Sequence, residues 1–416
     1  MVDYKFSLIT PTHKKSSYLL ELYETIKAQE YTNWEWILWL NNGMGRKDIP
    51  AIIKKDPQVV IKISKEDNTK IGYIKRNAFL EGGGDVLVEV DHDDLLTKDC
   101  LTELNIAFQD KEVGFAYSDN AKLSDDFQPY RADYGWVSSS FPWKDTSLIG
   151  MNSFPPHSQT MSSIHYAPDH VRAWRTTVYK ELGGHNPDLS VCDDYELVVR
   201  TYLVSKFCYI PKVLYLYRID GDNSWLQNIE KIQKLTNEIY HKYAYQLVEK
   251  DAELKGLLKV DVGGGLFPRE GYLTIDQEDA DIVCNLDDGI PLADDSVAVL
   301  NASHIIEHLK DPIKTMREIH RVLCHGGWAM IEVPSTDGRG AWMDPTHVSY
   351  WNENSFFYYT KKDQAQFIRN TDIRFQIYRL ETHFPNGFYE THQAPCVTAW
   401  LTCIKEGSRF PGLLEI

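Results

Sequence analysis

Val86-Leu87-Val88-Glu89-Val90-Asp91-His92-Asp93-Asp94 is an apolar run that breaks into carboxylates. Its first five residues read as a buried strand, and the acids mark where that strand ends. Upstream lie Gly82-Gly83-Gly84 and a short helix around Gly72 to Leu80. Val59 to Ile63 reads as another strand, as does Trp36 to Leu40, closed by Asn41-Asn42-Gly43. Phe6 to Thr10 is the first strand, ended by Pro11, and Leu19, Leu22, Tyr23 and Ile26 then mark one face of a helix. Strands alternating with helices predict parallel βαβ units and an α/β fold. Ligands of such sheets gather outside the carboxyl ends of the strands, which here are Thr10-Pro11-Thr12, Asn41-Asn42 and Asp91-His92-Asp93-Asp94.

Carboxylates this close repel one another unless something positive is present. A divalent cation bridging a diphosphate answers that repulsion, because hard cations prefer oxygen ligands. The other reading is an acidic turn capping a following helix, with Asp94 as the cap before Leu95. Companions lie along the chain: Gly72 to Asn77, which includes Arg76; Gly183-Gly184-His185-Asn186; Cys192-Asp193-Asp194-Tyr195-Glu196 running to Arg200; and Leu216-Tyr217-Arg218-Ile219-Asp220.

In this order the motifs resemble the family-2 glycosyltransferases of the GT-A fold, over residues 4 to 225. The resemblance implies a nucleotide-sugar donor, a carbohydrate or other hydroxyl-bearing acceptor, and a Mn²⁺ or Mg²⁺ ion. Thr10, Pro11, Thr12, Asn41 and Asn42 would bracket the donor's base and ribose, with Arg76 and His92 also on the donor. Asp91 would contact the ribose or the metal, and Asp93 would ligate the metal. Asp194 matches the general base of inverting members, taking a proton from the acceptor hydroxyl. An N-cap role for Asp193 and Asp194 is the alternative. Two positions depart from the family. Asn41-Asn42 stands where an Asp pair is common, and Asp220 stands where His is common; Asp220 remains a competent metal ligand. Trp136, Trp143, His157, His165 and Trp174 either line an acceptor groove or pack a long irregular segment, about 125 to 163, on the core.

Asn228 to Lys255 is polar and free of proline, and reads as a linking helix. A second α/β pattern starts at Leu257: strand Leu258 to Val262, the turn Gly263-Gly264-Gly265, strand Tyr272 to Asp276, strand Val297 to Ala302, a helical stripe Ile313, Met316, Ile319, Leu323 capped by Gly326-Gly327, and strand Trp328 to Val333. Asp276 at a strand end suits a ribose diol. With Ser303-His304-Ile305-Ile306-Glu307-His308 and the segment Glu318 to Gly327, the order resembles class I S-adenosylmethionine-dependent methyltransferases. That resemblance implies S-adenosyl-L-methionine, with Asp261, Gly263, Gly264 and Gly265 at its methionine part and Asp276 at the ribose. Asn285 and Leu286 would edge the adenine, and His304 would stand beside the cofactor. The glycine turn is a shortened form of the family's, so a structural, inactive domain is the alternative. His304, Glu307 and His308 offer no third metal ligand from sequence and read as a helix start beside the cofactor. His347, in Asp344-Pro345-Thr346-His347, is the candidate base for methyl transfer.

The expected organisation is a GT-A domain over 1–227, a helical linker over 228–255 and a Rossmann-like methyltransferase domain over 256–416. The expected activity is glycosyl transfer plus O-methylation, the alternative a glycosyltransferase whose second domain only binds acceptor or partner. A third possibility is a carbohydrate-binding scaffold with both sites inactive. The composition agrees with packed domains: 43% apolar and 12% aromatic residues. A formal net charge of −16 makes nucleic acid a poor partner. Seven scattered cysteines read as reduced core thiols of a cytoplasmic protein. The N-terminal residues do not resemble a signal peptide, and no apolar run is long enough to cross a bilayer.

Overall fold

The computed structural model describes residues 1–65, 68–124, 126–132, 135–166, 168–219, 228–369, 372–405 and 411–413. The chain forms two compact units, Met1–Pro156 with Thr160–Tyr243, and His157–Gln159 with Ala244–Ile416. The boundary at Tyr243 and Ala244 falls inside one helix, Ile229–Lys255.

The first unit is an α/β domain built on a mixed sheet. Strands β1 (Phe6–Thr12), β2 (Trp34–Leu40), β3 (Val59–Ile63) and β4 (Val86–Glu89) are mutually parallel. They continue into β5 (Leu95–Leu96), β6 (Val113–Leu123), β9 (Arg172–Arg175) and β10 (Lys206–Arg218), in the order β3-β2-β1-β4-β9-β6-β10-β5. The chain winds outward from β1 in both directions, so the crevice at a topological switch point opens between the ends of β1 and β4. The core beneath is aromatic as well as aliphatic, with Trp36, Trp174 and Phe6 fully buried.

Three local expectations are corrected here. Pro11 does not end β1; it pairs with Trp39, and the strand runs to Thr12. Pairing with β4 stops at Ile9, so Pro11 sits where one side of the strand has no partner, a place that tolerates a missing N–H. Asp94 caps no helix: Leu95–Leu96 pair with β10, and the helix begins at Cys100. The segment taken as irregular holds a hairpin, β7 (Ser138–Trp143) with β8 (Thr146–Met151), joined to β6. Its strands are serine-rich and largely exposed, so hydrophobic alternation was too weak to reveal them.

The second unit is a Rossmann-like domain built on β11 (Leu258–Val262), β12 (Leu273–Asp276), β13 (Ile282–Val283), β14 (Val297–Ser303), β15 (Leu323–Pro334), β16 (Arg374–His383) and β17 (Cys396–Ile404). Their order is β13-β12-β11-β14-β15-β17-β16, with β17 antiparallel to both its neighbours. The doubly wound switch point here lies between β11 and β14. The helix Pro312–Val322 starts at Asp311, whose Oδ1 accepts from the amides of Ile313 and Lys314 at 3.0 Å. Gly326-Gly327 do not cap it. Leu323 is already extended, and the glycines lie within β15, where a Cβ on Gly327 would strike the Cys324 carbonyl at 2.9 Å.

Candidate functional site

The acidic strand end of the first unit is held from below. Asp94 is buried, its Oδ2 accepting from Tyr215 Oη at 2.8 Å and its Oδ1 from the Arg218 amide at 2.7 Å. Burial, with Asp91 and Asp93 close by, pushes its pKa well above the ordinary carboxylate range. Arg218 also donates from Nε to the Asp93 carbonyl at 2.7 Å, so β10 pins the turn. Asp94 is therefore a strut, while Asp91 and Asp93 are only half-buried and reachable. The His92 ring is buried edge-on to His13 at 5.9 Å, and its Nε2 has no hydrogen-bond partner.

Behind this turn runs a chain of buried charges. Glu89, the one charged residue in β4, pairs with Lys75 from the helix Ile71–Leu80. Arg172 on β9 lies 3.7 Å from Glu89 and binds the Asp194 carboxylate. Burial works against the charge of Glu89, but Lys75, His170 and Arg172 outweigh it and hold the group at about 2. Burial opposes the charge of Asp194 as well, and Arg172 and Lys75 hold it well below the ordinary value. Asp193, 3% exposed and with its Oδ2 unpartnered, goes the other way. Burial, reinforced by Asp194 and Glu89, pushes it up to about 7 against Lys75. His185 stands 3.9 Å from Asp193, and burial drops it to about 3. Lys75 pairs with Glu89 and also feels the charges of Asp193, Asp91 and Asp194, acids of both motifs.

Asp193 and Asp194 open the helix Asp193–Val204, where acids favour the dipole; Cys192 holds the N-cap position, and Asp194 Oδ1 accepts from the first-turn Tyr195 amide at 2.8 Å. The Asp194 side chain keeps 26% exposure, enough to meet a ligand. The helix bearing Lys75 approaches closely at Gly72, where a Cβ would sit 2.0 Å from the Asn186 carbonyl. That contact ties the Gly72–Asn77 and Gly183–Asn186 motifs together.

The other expected residues divide. The Thr10 hydroxyl is fully buried and accepts from the Trp36 indole at 2.9 Å. Thr12 is buried, Pro11 half-buried and Asn42 exposed at φ 54°. Asn41 donates to the Asn68 carbonyl at 2.9 Å and leaves its Oδ1 unpartnered. Arg76 is half-buried. Asp220 lies outside the described residues. Trp174 packs in the core with its indole on Thr201 Oγ1 at 3.2 Å. Trp136 instead stacks on Tyr166 at 6.0 Å and meets Tyr130 at 4.7 Å. Burial lowers His165, which feels both Asp194 and Arg172. Trp143 is a half-buried residue at the tip of the β7–β8 hairpin, and His157 is half-buried in the second unit.

The second unit's turn is tightly filled. A Cβ on Gly263, at φ +80°, would strike Ile305 at 2.6 Å, and one on Gly264 would strike Asp261 Oδ2 at 2.4 Å. Buried Asp261 accepts from Asn301 Nδ2 at 2.7 Å and from the Arg269 amide at 2.9 Å. Asp276 accepts from the Gly265 and Gln277 amides at 2.9 and 2.6 Å. Asn285 is exposed and caps the turn Leu286–Asp288 by accepting from the Asp287 amide. Leu286 is buried beneath it. Cys396, with the Glu307 and Glu332 carboxylates each 3.6 Å from a ring nitrogen, pushes His304 up to about 12. The His347 ring is buried, with Nδ1 3.0 Å from the Ala341 carbonyl. Glu307 and His308 form a 3-10 turn, Ile306–His308, and the helix starts later, at Pro312. The absence of a third metal ligand is also overturned, because the fold brings His347 to Glu307 and His308. A hollow of 810 Å³ bordered by Arg269, Tyr272, Thr274 and Asp281 includes none of the expected cofactor residues.

Arg172, Lys75 and Glu89 were not foreseen as site residues. A glutamate inside an otherwise apolar strand was the available signal, since a buried charge demands a partner.

Two doubly wound sheets with carboxylates at their switch points place each unit in the doubly wound α/β class, whose ligands bind at that crevice. Residues 7–182 match the glycosyl transferase family 2 profile, and residues 268–331 match a methyltransferase domain profile. The N-terminal part of the chain is thus similar to family-2 glycosyltransferases and a stretch of the C-terminal part to a methyltransferase domain. Asp194 lies beyond the first matched span, and the glycine turn lies ahead of the second. Chondroitin synthase of Pasteurella multocida (strain Pm70) is 23% identical over 235 residues, 55% of this chain and 22% of that protein. Hyaluronan synthase of Pasteurella multocida is 22% identical over 54% of this chain and 21% of that protein. This chain therefore spans only about a fifth of these relatives' length. Among solved structures, S. aureus TarS 1-349 in complex with UDP-GlcNAc is 13% identical, with a TM-score of 0.42 over 64% of this chain and 76% of that one. Mannosyltransferase PcManGT from Pyrobaculum calidifontis, in complex with GDP-Man and Mn²⁺, is 17% identical, with a TM-score of 0.42 over 61% and 74%.

Proposed function

We propose that the first unit transfers a sugar, with inversion, from a nucleotide sugar to an acceptor hydroxyl, and that the second methylates a hydroxyl from S-adenosyl-L-methionine. The observation that carries the first reading is the buried charge network at the carboxyl end of β4, in which Lys75 pairs with Glu89 and Arg172, 3.7 Å from Glu89, binds Asp194. Asp91 and Asp93 are accessible oxygen donors on a turn that Asp94 and Arg218 fix, which fits Mn²⁺ or Mg²⁺. A divalent ion there would neutralise charge gathering on the departing diphosphate. Asp194 would accept the proton of the acceptor hydroxyl. Arg172, donating to Oδ2, keeps it ionised and fixes its orientation, and the Tyr195 amide donates to Oδ1 at 2.8 Å. Asn41, with a free acceptor oxygen at the end of β2, would meet a base N–H. The ring cluster Tyr130, Trp136 and Tyr166 offers flat faces to an acceptor sugar.

In the second unit each Asp276 oxygen accepts one amide and keeps a lone pair for a ribose hydroxyl, which fits a nucleoside without phosphates. Bound S-adenosyl-L-methionine would supply the methyl group. Asp261 would hold the turn through Asn301 and Arg269 rather than reach the methionine. A second reading, that this unit only binds acceptor or partner, draws on the same filled glycine turn.

A screen of nucleotide sugars tests the first activity. Hydrolysis of at least one donor is expected with Mn²⁺ and not with chelator; no turnover of any donor, with or without acceptor saccharides, defeats it. Calorimetry with S-adenosylhomocysteine separates the two readings of the second unit. Micromolar binding is expected, and its absence leaves only the partner-binding reading.

A further inference from the structure

Glu307 follows β14 at the switch point of the second sheet and is 2% exposed. Neither of its carboxylate oxygens has a hydrogen-bond partner. A carboxylate removed from water is strongly destabilising unless a cation or a proton meets it. Its surroundings are imidazoles. His347 Nε2 lies 3.9 Å from Oε1, and His304 Nδ1 lies 3.6 Å from the same oxygen. The His308 ring stands edge-on to His347 with centroids 5.0 Å apart. One ligand atom each from Glu307, His308 and His347 falls within 4.8 Å of the others.

The far nitrogen of each ring is already engaged. His347 Nδ1 is 3.0 Å from the Ala341 carbonyl, which can only accept, so Nδ1 carries the proton and Nε2 a lone pair. His308 Nδ1 faces the Thr346 carbonyl at 3.3 Å and its hydroxyl at 3.1 Å, which likewise frees Nε2. Orientation of this kind, through a backbone carbonyl on the second nitrogen, is characteristic of metal-ligating histidines. The segment bearing His347 is fixed as well. Asp344 accepts from the Thr346 hydroxyl at 2.6 Å, and the Val348 and Ser349 amides donate to the Glu307 carbonyl at 2.9 and 3.0 Å. An ion pair with His304 alone is the competing arrangement. It would leave the His347 lone pair facing a carboxylate oxygen, acceptor against acceptor.

We propose that Glu307, His308 and His347 bind a divalent transition-metal ion, with zinc the best match to two imidazoles and one carboxylate. Metal–ligand bonds of about 2.0–2.1 Å would draw the three atoms inward. Three protein ligands leave a position open to water or a hydroxyl oxygen, the pattern of reactive rather than purely structural zinc. Ile305 packs against Gly263, so the ion would sit beside the glycine turn. The site rests on its own geometry and does not depend on methyl transfer.

The test uses the full chain, stripped with chelator and titrated with Zn²⁺ under excess Mg²⁺, which occupies hard oxygen sites. Co²⁺ serves as a parallel optical probe. One zinc equivalent is expected, with visible Co²⁺ bands from nitrogen ligands. Glu307→Gln and His308→Ala should each weaken binding by about tenfold or more and remove the bands, whereas Asp93→Asn should change neither. His308 is half-exposed, so its variant stays folded even where Glu307→Gln does not. Failure to bind zinc at micromolar concentration overturns the proposal. So does binding unchanged in His308→Ala, or binding lost in Asp93→Asn.

Discussion

At the carboxyl end of β4, charged side chains neutralise one another: Lys75 with Glu89, Arg172 with Asp194. At the ends of β11 and β12, the carboxylates of Asp261 and Asp276 are instead met by backbone amides and one asparagine. The first arrangement places full charges beside the reactive edge and keeps Asp194 ionised. The second shapes a turn and leaves its carboxylates near neutral donors. The same doubly wound geometry thus supports two styles of site. A loss of charge should disable the first, while a loss of shape or of a single hydrogen bond should disable the second.

The largest expected effect is Asp194→Asn, which should lower glycosyl transfer by about 10²–10⁴-fold while leaving S-adenosylhomocysteine affinity unchanged. Initial rates and calorimetry on one preparation check both halves. Next comes Lys75→Met. Removing the cation paired with buried Glu89, which leaves it only Arg172 at 3.7 Å and His170 at 3.9 Å, should cost about 3–5 kcal/mol, read from denaturant unfolding. In the second unit Asp261→Asn, which turns one acceptor into a donor facing donors, should cost about 1–3 kcal/mol. Equal losses would erase the contrast. Asp276→Ala should weaken S-adenosylhomocysteine by about tenfold, with donor turnover unaffected.

The smallest effect is on pH. Asp193 has an ordinary value of 3.8 and sits at about 7 in the fold. The folded chain therefore holds the extra proton between those values. Its contribution is complete below about 4 and is lost as pH rises through 7. Asp193→Asn should melt higher than wild type at pH 8.5, and the gap should shrink toward pH 5. A gap that widens on acidification would show that Asp193 is ionised in the fold.

Much of this architecture was legible in the chain. Val59–Ile63 and Leu258–Val262 matched their expected bounds, because the first is β-branched but for Lys62 and the second alternates apolar with charged residues. The hairpin Ser138–Met151 was hidden because its outward serines carry no hydrophobic period. The acid motifs were visible as sequence. Their mutual partner Arg172 was not, since an arginine among the apolar residues of β9 declares itself only when the fold sets it between Glu89 and Asp194. Glu307 and His308 were visible together, but His347 comes from a distant loop whose approach no local spacing encodes. Long-range pairing, more than local propensity, is what the chain concealed.

The most direct measurement is calorimetry of UDP and GDP binding to the full chain with and without Mn²⁺, in three proteins: wild type, Asp91→Asn with Asp93→Asn, and Asp194→Asn. The expected result is Mn²⁺-dependent binding of at least one nucleotide that the double variant loses and Asp194→Asn retains, because in the proposed arrangement Asp91 and Asp93 would hold the diphosphate end while Asp194 would serve the acceptor. Binding that ignores Mn²⁺, or that survives in the double variant, would contradict the assignment of Asp91-His92-Asp93-Asp94 as the donor's metal-binding edge.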